Sequence, residues 1–360
     1  MDIPKTMLAM VTMDHGDLDQ IVLHENWPRP EPKAGEVLIR VKACGLNNTD
    51  INTRTGWYSK AVTEATAGAG YEKVGVEDSA WGGAPVAFPR IQGADVCGNI
   101  VAIGDGVDPS RIGERIITNN WLRDPNDPNN MSKMGYFGSE RDGGFAQFTT
   151  MPSDNAIAIN STLSDAELAT FSCSYSTAEG MLTRANVTEA DTVLVPGASG
   201  GVGGALVQLS KRRGARVVAM SSEAKQAEVA KLGADKILGR SPDNLRLALG
   251  DEKISVVADV VGGEYWPKLI DILERGGRYT CSGAIAGPLV ELDLRTFYLR
   301  DLTFTGSTVI DPQVMKNLVR YIEADEIKPA LAATFPLEEL REAQTAFVTK
   351  KHAGNIVVTL

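Results

Sequence analysis

The sequence predicts an α/β protein with a strand-rich part and a doubly wound parallel-sheet domain. Three observations carry this. Between about residues 192 and 281, short apolar runs alternate with helical patterns, as a parallel sheet covered by helices requires. The first 155 or so residues instead show period-two alternation broken by turn residues. Finally, 360 residues at 43% apolar and 23% charged can bury the core of about two domains.

In chain order, Val37, Ile39 and Val41 alternate with Leu38, Arg40 and Lys42, which predicts a half-buried strand. Gly98 to Gly104 and Glu114 to Thr118 read likewise. The stretch from Trp57 to Gln92 lacks periodicity, is rich in glycine, and carries Tyr71, Trp81 and Phe88. Loops this long in compact domains are usually functional or mobile. Ser164-Asp165-Ala166-Glu167 spells a capping box, in which the Ser and Glu side chains satisfy free amides at a helix start. A helix through the Thr183 region follows. The parallel domain then reads as strand Thr192–Val195, helix Gly201–Arg213, strand Arg216–Met220, helix Glu223–Leu232, and strands at Val256–Val261 and Arg278–Cys281. Helices are expected at Pro312–Ala324 and Leu337–Lys350. The closing strand, Asn355–Leu360, has no helix after it and can rejoin the first domain.

The charge balance of 36 Lys and Arg against 46 Asp and Glu, net −10, disfavours a nucleic-acid partner. The first seven residues lack the basic and apolar regions of an export signal, and no run approaches the roughly 18 apolar residues of a membrane span. Cys44, Cys97, Cys173 and Cys281 are widely spaced, giving neither a disulfide framework nor a CxxC knuckle, which fits a reducing cytoplasm.

Thr192 to Gly203 is an apolar strand, a glycine-rich turn and a helix start. Ser199, Gly200, Gly201 and Val202 would bring backbone amides to a pyrophosphate at the positive end of that helix. The spelling is Ala-Ser-Gly-Gly-Val-Gly, with Ala198 where the commoner fingerprint has glycine. After the second strand, an NAD site would carry an acid for the ribose hydroxyls. This chain has Ser221, Ser222 and Lys225, which suit a 2′-phosphate, although Glu223 could supply the acid. NADPH is expected over NADH.

Several segments resemble the medium-chain dehydrogenase/reductase superfamily, above all its zinc-independent quinone oxidoreductase, zeta-crystallin-like branch. They are Gly45 to Asp50, Gly93 to Gly98, Gly144 to Phe148, and Gly197 to Gly203 with Gln208 and Lys211. The resemblance implies a GroES-like catalytic domain formed by residues 1–158 and 311–360 around a Rossmann domain at 159–310, a homodimer or homotetramer, and an active site in the cleft. Metal-dependent members place ligands where this chain has Asn47, Ala94 and Cys173, so no zinc is expected. Nor does Trp121 to Glu140 hold the four cysteines of a structural zinc.

Within the resemblance, Asn47 lies beside the nicotinamide and can bond its carboxamide or the substrate oxygen. Tyr58 is either a proton donor or an aromatic packing the loop base; Asp50 reads better as a helix cap. Thr177 and Arg240 match cofactor-facing positions of the family, and Asn355 stands where many relatives carry a phosphate-binding lysine; Gly262, Gly283, Ala284 and Ser307 follow strand ends, where ligands of such sheets lie, although glycine there is often only a turn. The implied activity is NADPH-dependent hydride transfer to a quinone or an α,β-unsaturated carbonyl. The alternatives are a metal-independent alcohol or aldehyde dehydrogenase and an NADPH-binding protein without turnover.

Overall fold

The computed structural model describes residues 3–66 and 86–360; Tyr71 and Trp81 of the glycine-rich stretch lie outside them. The described residues fall into two compact units, one of residues 3–62, 86–173 and 315–360, the other of 63–66 and 174–314.

Unit 1 begins with an antiparallel pair, β1 (Thr6–Thr12) and β2 (Ile21–Pro28). β3 (Glu36–Gly45) leads into helix α1 (Asn48–Thr55). Then come β4 (Asp95–Ile103), β5 (Arg115–Thr118), β6 (Trp121–Leu122), β7 (Gly135–Tyr136), β8 (Phe148–Pro152), β9 (Ala156–Ala158) and α2 (Asp165–Leu168). The capping box at the start of α2 is present: Glu167 N–H donates to Ser164 Oγ at 3.3 Å, and Ser164 N–H to Glu167 Oε2 at 2.8 Å. Because α2 packs on β3 and β4, unit 1 extends to residue 173, beyond the change of sequence pattern.

After α3 (Ser172–Arg184), unit 2 runs through β10 (Thr192–Val195), α4 (Gly201–Arg212), β11 (Arg216–Met220), α5 (Gln226–Lys231), β12 (Lys236–Leu238), α6 (Leu245–Leu249), β13 (Ile254–Asp259), α7 (Trp266–Asp271), β14 (Leu273–Cys281), α8 (Leu294–Tyr298) and β15 (Thr303–Gly306). Its six strands are all parallel, in the order β12-β11-β10-β13-β14-β15. Val193, Leu194, Val218 and Val257 are fully buried, as continuous apolar runs between two helical layers should be. The order reverses direction on either side of β10, and in such sheets ligands bind at the carboxyl ends near that reversal.

The chain closes with α9 (Pro312–Glu323), β16 (Leu331–Pro336), α10 (Leu340–Val348) and β17 (Asn355–Thr359). β17 lies antiparallel to β3, Val358 opposite Cys44, so the final strand does rejoin the first sheet. That sheet has the order β16-β17-β3-β4-β5-β9, with β8 also paired to β3. Here the structure departs from simple alternation. Leu38 is as fully buried as Val37 and Ile39 because β3 is central and both its faces are covered. Each such side chain contributes about 1.5–3 kcal/mol.

Candidate active site

In unit 2 the turn after β10 gathers the expected phosphate-binding residues. Gly197 takes the left-handed backbone, φ +64°, so the tight turn needs its glycine there and not at position 198. Ala198 is consequently accommodated: its side chain is fully buried and its N–H donates to Met220 O at 3.1 Å. A Cβ on Gly203 would lie 2.2 Å from Gly197 O, so this glycine permits the close packing of α4 against the turn. Gly200 caps α4 without a side chain, leaving the helix start lined by Ser199, Gly201 and Val202 open to an anion.

At the neighbouring strand end, Ser221 is 2% exposed and its N–H donates to Leu238 O, which draws the ends of β11 and β12 together. Ser222 is half-buried and Glu223 exposed. Burial, together with the positive charge of Arg240, holds the Lys225 ammonium below its usual pKa. Two cations thus stand near each other at the end of the sheet, an arrangement that a phosphate relieves.

Asp259, at the end of β13, is fully buried and accepts Val261 N–H at 2.7 Å, Gly262 N–H at 3.2 Å and the Tyr279 hydroxyl at 3.0 Å. It thereby shapes the loop in which Gly262 takes φ +61°. Ala286 N–H donates to Val261 O at 2.8 Å, and a Cβ on Gly262 would meet Ala284 Cβ at 3.2 Å. Gly262, Gly283 and Ala284 are therefore neighbours. Ser307 Oγ is buried without a hydrogen-bond partner, and a Cβ on Gly180 of α3 would lie 3.3 Å from it; Thr177 precedes Gly180 by one turn. Thr66, in the first residues of the glycine-rich stretch, joins this unit by donating its N–H to Ile285 O at 3.1 Å. The open helix start, the paired cations and the orphan Ser307 hydroxyl fit a phosphorylated dinucleotide.

Unit 1 holds a second cluster, at the ends of β3 and β4. Asn47 caps α1, and Asp50 Oδ2 accepts the Asn47 N–H at 2.7 Å. Asp50 is more than a cap, since its Oδ1 also accepts Gly93 N–H at 3.2 Å. Gly93 has φ +95°, and a Cβ there would sit 2.8 Å from Cys44 Sγ. Burial first, and then the charge of Asp95, push the Asp50 carboxyl up to about 7 against the pull of those two amides. Asp95, fully buried, accepts Asn120 Nδ2 and Cys173 N–H through Oδ1, each at 2.9 Å. Burial pushes it up to about 7 as well, offset in part by the Asn47 and Asn120 amides. Asn120 Nδ2 also reaches the Tyr136 hydroxyl at 3.3 Å. Tyr58 is half-buried, its phenol bonded by Thr49 and Asn52 side chains and pushed up to about 12, chiefly by burial.

Asn47 and Tyr58 thus lie in unit 1, whereas the residues expected to meet the phosphates and ribose and those at the strand ends lie in unit 2. Asn355 is also in unit 1, where its Nδ2 donates to Thr170 O at 2.8 Å and ties β17 to the α2–α3 connection. Sequence reasoning assigned no role in this cluster to Asn120 or Tyr136, and met Asp95 as part of the Gly93 to Gly98 segment that carries the resemblance. The available signal was an acid within the apolar run Gly93-Ala94-Asp95-Val96-Cys97.

The donor set does not fit a catalytic zinc. At the three ligand positions stand an amide, the methyl group of Ala94 and the single thiol of Cys173, and tetrahedral zinc needs three protein donors. Between β6 and β7 the Lys133 ammonium lies 3.5 Å from Asp124 and 3.4 Å from Asp127, an ion-pair tie within that loop.

Comparison with known proteins gives consistent matches. Residues 33–161 match the alcohol dehydrogenase GroES-like domain, and residues 201–324 the zinc-binding dehydrogenase family. The chain is 26% identical to the NADPH-dependent alkenal/one oxidoreductase of Arabidopsis thaliana, over 99% of this chain and 80% of that one. It is also 26% identical to a quinone oxidoreductase of Mus musculus, over 94% and 93%. A solved structure from Sinorhizobium meliloti, provisionally described as an alcohol dehydrogenase, superposes with a TM-score of 0.89 at 42% identity, covering 99% of this chain and 97% of that one.

Proposed function

Because the chain belongs to the medium-chain dehydrogenase/reductase superfamily, we propose that it is an NADPH-dependent, zinc-independent reductase of quinones or α,β-unsaturated carbonyls. The observation that carries this reading is the donor set at the metal position, where an amide and a methyl group replace two ligands. An enzyme lacking a Lewis acid there must stabilise developing oxygen charge by hydrogen bonds, which favours acceptors that delocalise it well.

Bound NADPH would supply a hydride with its electron pair. Ser199, Gly200, Gly201 and Val202 would hold its pyrophosphate, Ser221, Ser222, Lys225 and Arg240 its 2′-phosphate, and Gly262, Gly283, Ala284, Ser307 and Thr177 would contribute to the rest of its site. Asn47 donates an N–H to the substrate oxygen. Tyr58 keeps its proton at neutral pH and releases it only to a strongly basic oxygen or carbanion, as an enolate becomes. The exposed Leu289, Leu294, Tyr298 and Leu299, near the edge strand β15, support self-association as a homodimer or homotetramer. Four free cysteines suit the cytoplasm.

A metal-independent alcohol dehydrogenase is the second reading, favoured by the 42% identity to the Sinorhizobium structure. The discriminating experiment follows nicotinamide absorbance with an ortho-quinone, an enone and a primary alcohol in turn, with a chelator present. Faster oxidation of NADPH than NADH by the quinone or enone is expected. Turnover of the alcohol alone would replace the first reading by the second.

A further inference from the structure

Asp95 faces Gly45 as a cross-strand partner, and Asn47 lies two residues beyond Gly45. The Asn47 side chain is close enough to the Asp95 carboxyl to draw its pKa down. Asn47 is 7% exposed, Asp95 0% and Asn120 4%. The two carboxylate oxygens differ in their commitments. Oδ1 already accepts from Asn120 and from the Cys173 backbone. Oδ2 has no hydrogen bond of ordinary geometry, nor has Asn47 Nδ2. Once Asp95 is ionised, a carbonyl oxygen turned toward it would set acceptor against acceptor, whereas Nδ2 sets donor against acceptor.

We propose that Asp95 is a positioning residue, which fixes the end-for-end orientation of the Asn47 carboxamide so that an N–H is left to receive a ligand's oxygen. The proposal rests on the reading above that Asn47 meets the substrate oxygen. Asp95 is itself held by two donors on separate segments, so the orientation passes from the β4 start to the ligand through one carboxylate. The substitution Asp95→Asn isolates this role. It keeps the shape and an Oδ1 acceptor for Asn120 and Cys173, but puts an NH2 group where Oδ2 stood. Two NH2 groups would then face each other, and the Asn47 carboxamide gains by turning over, which presents Oδ1 to the ligand.

The test has two readouts. With 15N-labelled asparagine, the Asn47 side-chain resonance pair is assigned by its loss in Asn47→Ala. It is expected to move in Asp95→Asn and to stay in place in Asp154→Asn, which alters an exposed carboxylate. With an ortho-quinone as acceptor, Asp95→Asn should lower kcat about tenfold with KM changed less than about twofold. In an Asn47→Ala background the same substitution should change kcat less than about twofold, because the partner through which it acts is gone. An Asn47 resonance unmoved by Asp95→Asn, or a tenfold loss persisting without Asn47, overturns the positioning role. Absence of any turnover by the wild-type protein would instead overturn the reading of its activity, and the resonance measurement would still decide the role of Asp95.

Discussion

In the proposed reading Lys225 and Arg240 decide cofactor choice, since burial and then the charge of Arg240 hold the Lys225 ammonium below its usual pKa and a bound anion would favour its charged form. Replacing both by Ala should weaken NADPH binding far more than NADH binding. A charge-assisted bond contributes roughly 1.5–3 kcal/mol, and the exposure of Arg240 puts it at the low end, so about tenfold per residue is expected. Titration of nicotinamide fluorescence measures both constants; equal weakening would contradict a 2′-phosphate site. In the sequence Lys225 was singled out by its place after the second strand, and Arg240 by the family resemblance. Asp95 and Asn120 were not. Their contact joins residues 25 apart through the β4 and β5 ladder, and no local period marks it. For Tyr58 the sequence left proton donor and packing aromatic both open, and its bonds to Thr49 and Asn52 depend on how α1 turns at Gly56, which only the fold specifies.

At the scale of elements, the alternation of apolar runs and helical patterns was sufficient to read β10, α4, β11 and β13, since strands buried on both faces leave a continuous apolar signature. The strands of unit 1 were harder. β3 carries Arg40 and Lys42 along one face and yet buries Leu38 among them, so its alternation understated how central it is. The turn between β10 and α4 supplies a direct test of the packing. Gly203→Ala would place a methyl group 2.2 Å from a backbone oxygen that cannot move without unwinding the turn. A loss of about 1–3 kcal/mol in urea unfolding is expected, with NADPH binding weakened as well. Unchanged stability would mean that α4 does not pack on Gly197 as closely as described. The closing strand makes a second case: β17 runs between β16 and β3, so truncation before Asn355 should abolish cooperative folding of unit 1 and not merely trim an edge. Circular dichroism melting checks this, and a retained sharp transition would count against it.

For the molecule as a whole, two buried carboxyls at the ends of β3 and β4 couple stability to pH. Asp50 and Asp95 each rise from 3.8 to about 7 on folding, so the native state binds protons that the unfolded chain releases. Their contribution is fully present below the unfolded value and is lost as pH rises through the folded one. Thermal midpoints should therefore fall between about pH 4 and pH 7 more steeply in the wild-type protein than in Asp95→Asn. Parallel curves would show that Asp95 is ionised throughout that range. The central claim is that hydride transfer proceeds here without a metal, the amide of Asn47 doing at the substrate oxygen what a zinc ion would do. The measurement that tests it most directly is zinc content per chain, determined by mass spectrometry on enzyme whose NADPH-dependent quinone reduction is assayed before and after chelation. The account expects full activity with no stoichiometric zinc. One zinc per chain, with activity lost on its removal and regained on its return, would contradict it.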